Sequence, residues 1–450
     1  MKEKKDKTFT SKLIKLVLPI AVSLFMLNLV SASDALMLGV IGQNELSAVS
    51  LAGQVQFVLS LFLAGITIGT GILAAQYWGK GDAKSVEKVF AIALRFTVPV
   101  AALFSILTAA IPEQIMRLFT SEEVLVSLSA KYLRTASASY LFCGISQVYL
   151  CIMKNCSKAF QSTLITAVCV LADAAMNAVL IFGLFGFSKM GVYGAAVSTV
   201  IARFAEFLWA AVALQKSCKV KFRFGFVIHA DKELHRDFWK YTAPVLGNEL
   251  VWGVGITMYT VIMGHLGTDT VAANSVTNIV KNLAVCFCSG LASGGGIMVG
   301  NELGAGELQW ARTYASKLCR AAIISGILTG ILMLCVMPGV IKLSSLSEKA
   351  DEYMRQMIII CSVYMVGKSV NMMTIAGIFC AGGDSKFGFL CDAVTLWCIT
   401  VPLGFISAFV LKLPVIAVYM IINADEMLKL PAVYKHYKKY KWVKNITSDK

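Results

Sequence analysis

Long apolar segments are the feature that most constrains this chain. Residues 162–184 contain a single charged side chain, Asp173, and residues 89–111 contain only Arg95. Each segment is long enough to cross the roughly 30 Å hydrocarbon core of a bilayer, which takes about 20 helical residues. Because 57% of the 450 residues are hydrophobic and 15% are charged, a water-soluble fold could not bury this apolar surface. The chain is therefore predicted to be an all-α membrane protein.

The hydropathy pattern predicts twelve membrane spans. They cover residues 13–38, 50–76, 89–111, 133–153, 162–184, 192–214, 242–264, 275–299, 314–337, 356–378, 388–410 and 413–430. Most of the 41 Lys and Arg residues fall in the tails and in the loops on one side of these spans. The protein is expected in the cell (inner or plasma) membrane. The positive-inside rule predicts that the basic side, with both termini, faces the cytoplasm. The net charge of +15 thus signals orientation and contact with anionic lipids, with no nucleic-acid partner expected.

A shift of 225 residues aligns the chain with itself. No gap is needed between residues 19 and 95, where seven of eight glycines fall on glycine, as Gly79 falls on Gly304. The chain is therefore predicted to form two pseudo-symmetric six-helix lobes, 1–214 and 242–450 with a basic cytoplasmic tail, joined by a cytoplasmic linker at 215–241. Two equivalent lobes can rock against each other and alternate access to the two sides of the membrane.

Ionisable residues inside the predicted spans are the first candidates for function. Each costs about 2.5 kcal/mol or more at the bilayer centre, so each must face a bundle interior or a wet cavity. They include Asp34, Asp173, Arg203, Glu206, Glu249, Lys281, Lys368 and Asp392.

In the N-terminal lobe, Asp34 is either an interfacial carboxylate near water or a group that binds a proton or a cation. Its partner in the second half is Tyr259, so the acid belongs to one lobe only. Asp173 and Asn177 are four residues apart, on one helix face. A carboxylate and an amide oxygen suit Na⁺, or a proton held by a carboxyl group. A polar pair that stabilises helix packing is the alternative.

Arg203 and Glu206 are three residues apart on the sixth span, which favours a structural ion pair.

In the C-terminal lobe, Lys368 and Asn371 could neutralise Asp392 or another acid, as a structural pair or as part of a relay. Glu249 near the start of the seventh span is either part of this possible polar site or a packing group.

The sequence shows no pattern typical of zinc binding, phosphate binding or nucleophilic catalysis. The thirteen cysteines show no paired CxxC spacing for zinc, and there is no GxxxxGK[ST] phosphate loop. No nucleophile–His–acid arrangement is recognisable, so an enzyme is not predicted. No cofactor is expected apart from a coupling ion, Na⁺ or H⁺, and no metal apart from a possible Na⁺ at Asp34 and Asn177.

Several motifs in order resemble the multidrug and toxic compound extrusion (MATE) family. The motifs are Ser33-Asp34-Ala35-Leu36-Met37-Leu38-Gly39, Gly79-Lys80-Gly81-Asp82, Gly304-Ala305-Gly306-Glu307, Gly191-Val192-Tyr193-Gly194-Ala195-Ala196 and Gly382-Gly383-Asp384-Ser385-Lys386-Phe387. The resemblance covers nearly the whole chain. It implies two six-helix lobes around a central cleft and a Na⁺- or H⁺-coupled antiporter that exports amphipathic, often cationic, drugs.

The same resemblance implies roles for single residues. Asp34 matches the first-span acid used for coupling, and Asn177 matches the fifth-span asparagine beside it. Some prokaryotic members carry a second acid where this chain has Ile181, and Asp173 is the candidate to replace it. Glu249 resembles a seventh-span glutamate but is displaced by about a turn.

The expected partners are small-molecule drugs and membrane lipids, with the protein acting as a monomer. A flippase for a lipid-linked saccharide or similar amphiphile is the alternative function, and a non-transporting scaffold or receptor is the third.

Overall fold

The computed structural model describes residues 2–228, 231–344 and 346–448. Within these ranges the chain is helical and contains no strand, which confirms the predicted all-α membrane fold. Eleven helices of the described residues are long and apolar enough to cross a membrane. They are α1 (Lys2–Ile41), α2 (Gln43–Lys80), α3 (Ala83–Ala110), α4 (Glu123–Asn155), α5 (Ala159–Phe182), α6 (Val192–Ser217), α7 (Lys232–Gly264), α8 (Thr268–Gly304), α9 (Leu308–Ser344), α10 (Glu348–Phe379) and α11 (Ser385–Val410).

The twelfth predicted span, 413–430, is broken. The chain there forms α12 (Val415–Asn423), α13 (Asp425–Leu428) and α14 (Leu430–Lys438). Pro431 lies in the first turn of α14, where the N–H that proline lacks has no partner inside the helix. The break therefore places the two acids of α13 at the junction between two short helices.

Two of the long helices contain π-helical turns, at Met372–Phe379 in α10 and at Val394–Thr400 and Ile406–Val410 in α11. Pro402 follows the second of these segments and cannot donate a backbone hydrogen bond, which favours the local widening. Such turns often mark functional sites.

The described residues separate into two compact units. The N unit comprises Met26–Ala74 and Asp82–Trp239, and the C unit comprises Met1–Phe25, Ala75–Gly81 and Lys240–Lys450.

The N unit is organised around the contact of α2, α3 and α4, with Leu59, Leu133 and Tyr140 in its core. Gly144 allows α4 to approach α3 closely, because a Cβ at that position would lie 2.7 Å from the Cβ of Ala101. Small residues at helix crossings are the usual device for close packing in lipid.

The C unit contains a crossing between the end of α2 and the end of α8. A Cβ on Gly304 would lie 2.6 Å from Cα of Gln76, and a Cβ on Gly79 would lie 2.7 Å from Cα of Asn301. Gln76 and Asn301 are equivalent under the 225-residue shift, as are the two glycines. The crossing is thus symmetric, and it gives the repeated glycines a packing role.

The C-terminal segment 442–447 docks onto the same end of α2. Gln76 is fully buried: its Nε2 donates to the carbonyl oxygens of Ala381 at 2.7 Å and Lys444 at 3.2 Å. Its Oε1 accepts from the backbone N–H of Ile446 at 2.9 Å. Trp442 beside it is also fully buried. One glutamine side chain therefore forms hydrogen bonds with three backbone groups, two of them in the C-terminal segment.

Candidate functional site

The turn between α5 and α6 positions the polar residues of the N unit. Gly183 ends α5 in the left-handed conformation, with φ of 72°, as glycine commonly does at a helix C-terminus. The chain then returns, and α6 crosses α5 at Gly194, where a Cβ would lie 2.9 Å from the backbone carbonyl carbon of Leu180. This close approach brings the first turns of α6 against the last turns of α5.

Asp34, Asn177 and Ser198 form a hydrogen-bonded chain across α1, α5 and α6. The Nδ2 of Asn177 donates to Oδ1 of Asp34 at 2.9 Å, and the hydroxyl of Ser198 donates to Oδ1 of Asn177. Asn177 and Ser198 are buried, whereas Asp34 is partly exposed. The two residues expected to act together are thus in contact. Ser198 is an addition that the sequence pattern did not single out.

The direction of these hydrogen bonds limits what the site can bind as arranged. Asn177 presents its N–H to Asp34, which complements an ionised carboxylate. A bound Na⁺ ion would instead need the amide oxygen on that side. Rotation of the amide by about 180° would present that oxygen, with Ser198 then accepting the N–H. The orientation of an amide follows from its hydrogen-bond network. Binding of an ion at Asp34 would therefore change the orientation of the Asn177 amide.

Asp173 lies one helical turn before Asn177. Its Oδ1 is buried and has no hydrogen-bond partner in the described part of the chain. It lies within electrostatic range of Asp34, which repels it, and of Arg203, which attracts it. Asp34 and Asp173 therefore share this region of the N unit, and neither forms a direct ion pair with another residue that the structure describes. Such a pair holds a cation or a proton more readily than a single acid, since like charges disfavour double ionisation.

Arg203 and Glu206 form the ion pair that their spacing favours, with Nη1 2.8 Å from Oε2. Glu206 is fully buried and also accepts from the hydroxyl of Ser146 at 3.2 Å.

The C unit contains an ion-pair cluster centred on Lys429. Its Nζ lies 2.8 Å from Asp392, 3.1 Å from Asp425 and 3.9 Å from Glu426, and its side chain is 3% exposed. Asp425, Glu426 and Lys429 were missed at the sequence level. Their signal is the spacing of two acids three and four residues before a lysine inside a predicted span.

Lys368 and Asn371 reach Glu426 and leave Asp392 to Lys429. The Nζ of Lys368 lies 3.7 Å from Glu426 Oε1, and Asn371 Nδ2 donates to Glu426 Oε2 at 2.9 Å. The acid that Lys368 and Asn371 contact is therefore Glu426 of α13 and not Asp392.

Glu249 lies within electrostatic range of Asp392. No ion pair or hydrogen bond joins its carboxylate to another described residue.

A small cavity of about 40 Å³ lies beside this cluster. Its walls combine aromatic and apolar side chains with both signs of charge. They are Trp252, Ile256, Tyr259, Lys281, Cys361, Tyr364, Met365, Lys368, Asn423, Asp425 and Glu426. Tyr259 is fixed by a 2.6 Å hydrogen bond to Thr400. Over the described ranges, no three His, Cys, Asp or Glu side chains are grouped so that they could hold a metal ion.

A family model matches the chain twice. The MatE model covers residues 19–179 and again 245–406, one match in each half of the internal repeat. The chain belongs to the MatE family. This result confirms the resemblance to multidrug and toxic compound extrusion proteins.

Two proteins of Bacillus subtilis (strain 168) are similar to this chain over most of their length. The uncharacterized transporter YisQ is 23% identical over 445 residues, covering 98% of this chain and 97% of YisQ. The probable multidrug resistance protein YoeA is 24% identical over 409 residues, covering 90% of this chain and 88% of YoeA. This MatE protein is accordingly a multi-pass membrane protein of a multidrug efflux transporter family, and not an enzyme.

Solved structures share the fold. A MOP superfamily transporter from Pyrococcus furiosus superimposes with a TM-score of 0.87 at 17% identity, covering 96% of this chain and 95% of that one. The match extends along almost the entire chain.

Proposed function

We propose that this MatE protein is an antiporter that couples the inward movement of Na⁺ or H⁺ to the export of amphipathic, often cationic, organic compounds. The observation that carries the proposal is the contact between Asp34 and Asn177, with Asp173 one turn away. A carboxylate at membrane depth is costly and is retained where it binds an ion or a proton.

The coupling follows from linkage. A cation or proton at Asp34 favours the conformation that binds it better, and drug favours the other. Each ligand therefore lowers the affinity for the other by the same factor, which is the condition for antiport by alternating access. The amide of Asn177, which must rotate to coordinate a bound cation, is the proposed sensor of ion binding.

We propose further that both termini face the cytoplasm, that residues 1–214 and 242–450 act as two lobes joined by the linker 215–241, and that one chain suffices for transport. The Lys-rich tails and linker support this orientation.

The test measures accumulation of a fluorescent cationic dye in cells that lack other efflux pumps. Wild-type protein should lower dye accumulation, and Asp34→Asn should abolish this effect at equal membrane expression. Asp231→Asn, which changes an exposed acid between helices α6 and α7, is the matched control and should retain efflux. Normal efflux by Asp34→Asn would refute the role of this carboxylate.

The same assay separates export of drugs from lipid flipping. A flippase for a lipid-linked saccharide would leave dye accumulation unchanged in all three strains. Reconstituted protein would then move a fluorescent lipid-linked sugar between the leaflets of a vesicle.

A further inference from the structure

Two arginines occupy equivalent positions in the two halves of the internal repeat. Arg95 lies on α3 and Arg320 lies on α9, and the shift of 225 residues aligns them. Each lies twelve residues after the first residue of its helix, which is Ala83 in α3 and Leu308 in α9. Both arginines are exposed. Among the described residues, neither forms an ion pair, a hydrogen bond or a ring contact with another.

Arg95 stands at one end of an exposed apolar stripe along α3. The residues just before it, Phe90–Leu94, are buried. After it, exposed residues recur three or four positions apart, which is the spacing of one helix face. They are Pro99, Leu103, Ile106 and Leu107. In a helix long and apolar enough to cross a membrane, such a face contacts lipid.

The same stripe recurs on α9 after Arg320. The shift of 225 residues aligns three exposed side chains of α3 with identical residues of α9. The pairs are Leu103 with Leu328, Ile106 with Ile331, and Leu107 with Leu332. All six are exposed. The repeat therefore holds on an outer surface as well as at the buried helix crossings, which indicates that this surface has a role of its own.

Both arginines lie near one surface of the membrane. Each is six residues into its predicted span, 89–111 or 314–337, which is about 9 Å along the helix axis. Side chains of a helix tilt towards its N-terminus, and in α3 and α9 this is the direction of the nearer surface. An arginine there can place its guanidinium among the lipid headgroups while its stem contacts the acyl chains.

We propose that Arg95 and Arg320 each bind the phosphate of an anionic phospholipid, so that the N unit and the C unit carry equivalent lipid sites. A guanidinium donates two parallel hydrogen bonds to phosphate oxygens, which supplies the partners that each arginine lacks in the described protein. An anionic lipid is favoured over a zwitterionic one because its net charge compensates that of the arginine. The apolar stripe beside each arginine contacts the acyl chains of the same lipid. These sites do not depend on the proposed export function.

Native mass spectrometry of the purified protein in detergent tests the two sites. Phosphatidylglycerol is added in steps, and the number of bound lipid molecules and their Kd are measured. Arg95→Gln and Arg320→Gln should each bind one fewer phosphatidylglycerol molecule tightly, and the double variant should bind two fewer. The affinity at each altered site should fall by about tenfold or more, because a charge-assisted hydrogen bond is lost. Phosphatidylcholine with the same acyl chains should bind equally to wild type and to all variants.

Three controls accompany these variants. Arg117→Gln should leave lipid binding unchanged, because Arg117 is exposed but its charge is already compensated by Glu123, with Nη1 2.7 Å from Oε1. Arg95→Lys keeps the charge and loses the planar pair of donors, so its affinity should fall less than that of Arg95→Gln. Inorganic phosphate in excess should not displace the lipid, because it lacks acyl chains to contact the stripe.

Unchanged binding of phosphatidylglycerol in both single variants would overturn the proposal. An equal loss of phosphatidylcholine binding, or an equal loss in Arg117→Gln, would do the same. A loss in only one single variant would refute the equivalence of the two sites, and displacement by inorganic phosphate would assign the arginines to a free anion. Because both arginines are exposed, the apparent melting temperature of each variant should equal that of wild type, which separates loss of a site from loss of the fold.

Discussion

Replacement of Lys429 by methionine should strongly destabilise the C unit. Methionine keeps most of the length of the side chain but removes its charge. The Nζ of Lys429 lies 2.8 Å from Asp392 and 3.1 Å from Asp425, and the side chain is 3% exposed. The variant leaves two buried carboxylates without their counter-charge. Removal of one partner of a buried ion pair typically costs about 3–5 kcal/mol.

The triple variant Lys429→Met, Asp392→Asn, Asp425→Asn tests the cause of this loss. It removes the two stranded charges together with the lysine, and it should recover most of the stability. The reason is that a buried ion pair replaced as a whole is often neutral or stabilising. Lys342→Met, at an exposed position, is the control for loss of a lysine. Its apparent melting temperature should equal that of the wild-type protein.

The assay is the apparent melting temperature of purified protein in detergent, followed by tryptophan fluorescence. The single variant should melt roughly 5–10 °C below wild type, from the usual relation between stability and melting temperature. Two results would refute the reasoning. One is a melting temperature of the single variant equal to that of wild type. The other is a melting temperature of the triple variant no higher than that of the single variant.

Two further predictions concern packing at the end of α2. Gly304→Ala should lower the apparent melting temperature, because the new Cβ overlaps the backbone at Gln76 and overpacking costs about 1–3 kcal/mol. Gly53→Ala, with nothing within 4 Å of its Cβ, should be neutral or stabilising by up to about 1 kcal/mol, and equal effects would contradict the crossing. Gln76→Leu removes three hydrogen bonds to neighbouring backbone and should speed amide hydrogen exchange in residues 442–447; unchanged exchange would show that other contacts hold this segment.

The long helices were predictable because lipid leaves the backbone few options. A run of about 20 apolar residues is helical in a membrane whatever its neighbours do. The glycine repeat was also predictable from the sequence. At Gly79 and Gly304, its physical reason is the symmetric crossing of α2 and α8. The break in the twelfth span was not predicted, because hydropathy averaged over 413–430 hides the effect of Asp425 and Pro431 on local geometry.

The candidate site was predictable where its residues lie on one helix or match a motif. The four-residue spacing of Asp173 and Asn177 and the motif around Asp34 led directly to these side chains. The part that Ser198 plays depends on how α6 crosses α5, which no spacing within one helix encodes.

The central claim, ion-coupled export through Asp34, is tested most directly in proteoliposomes with separately imposed Na⁺ and H⁺ gradients. A fluorescent cationic dye should move against the direction of one of these two ions and should dissipate that gradient. Asp34→Asn should abolish both effects. Dye movement that is insensitive to both gradients, or a wild-type rate in Asp34→Asn, would contradict the account.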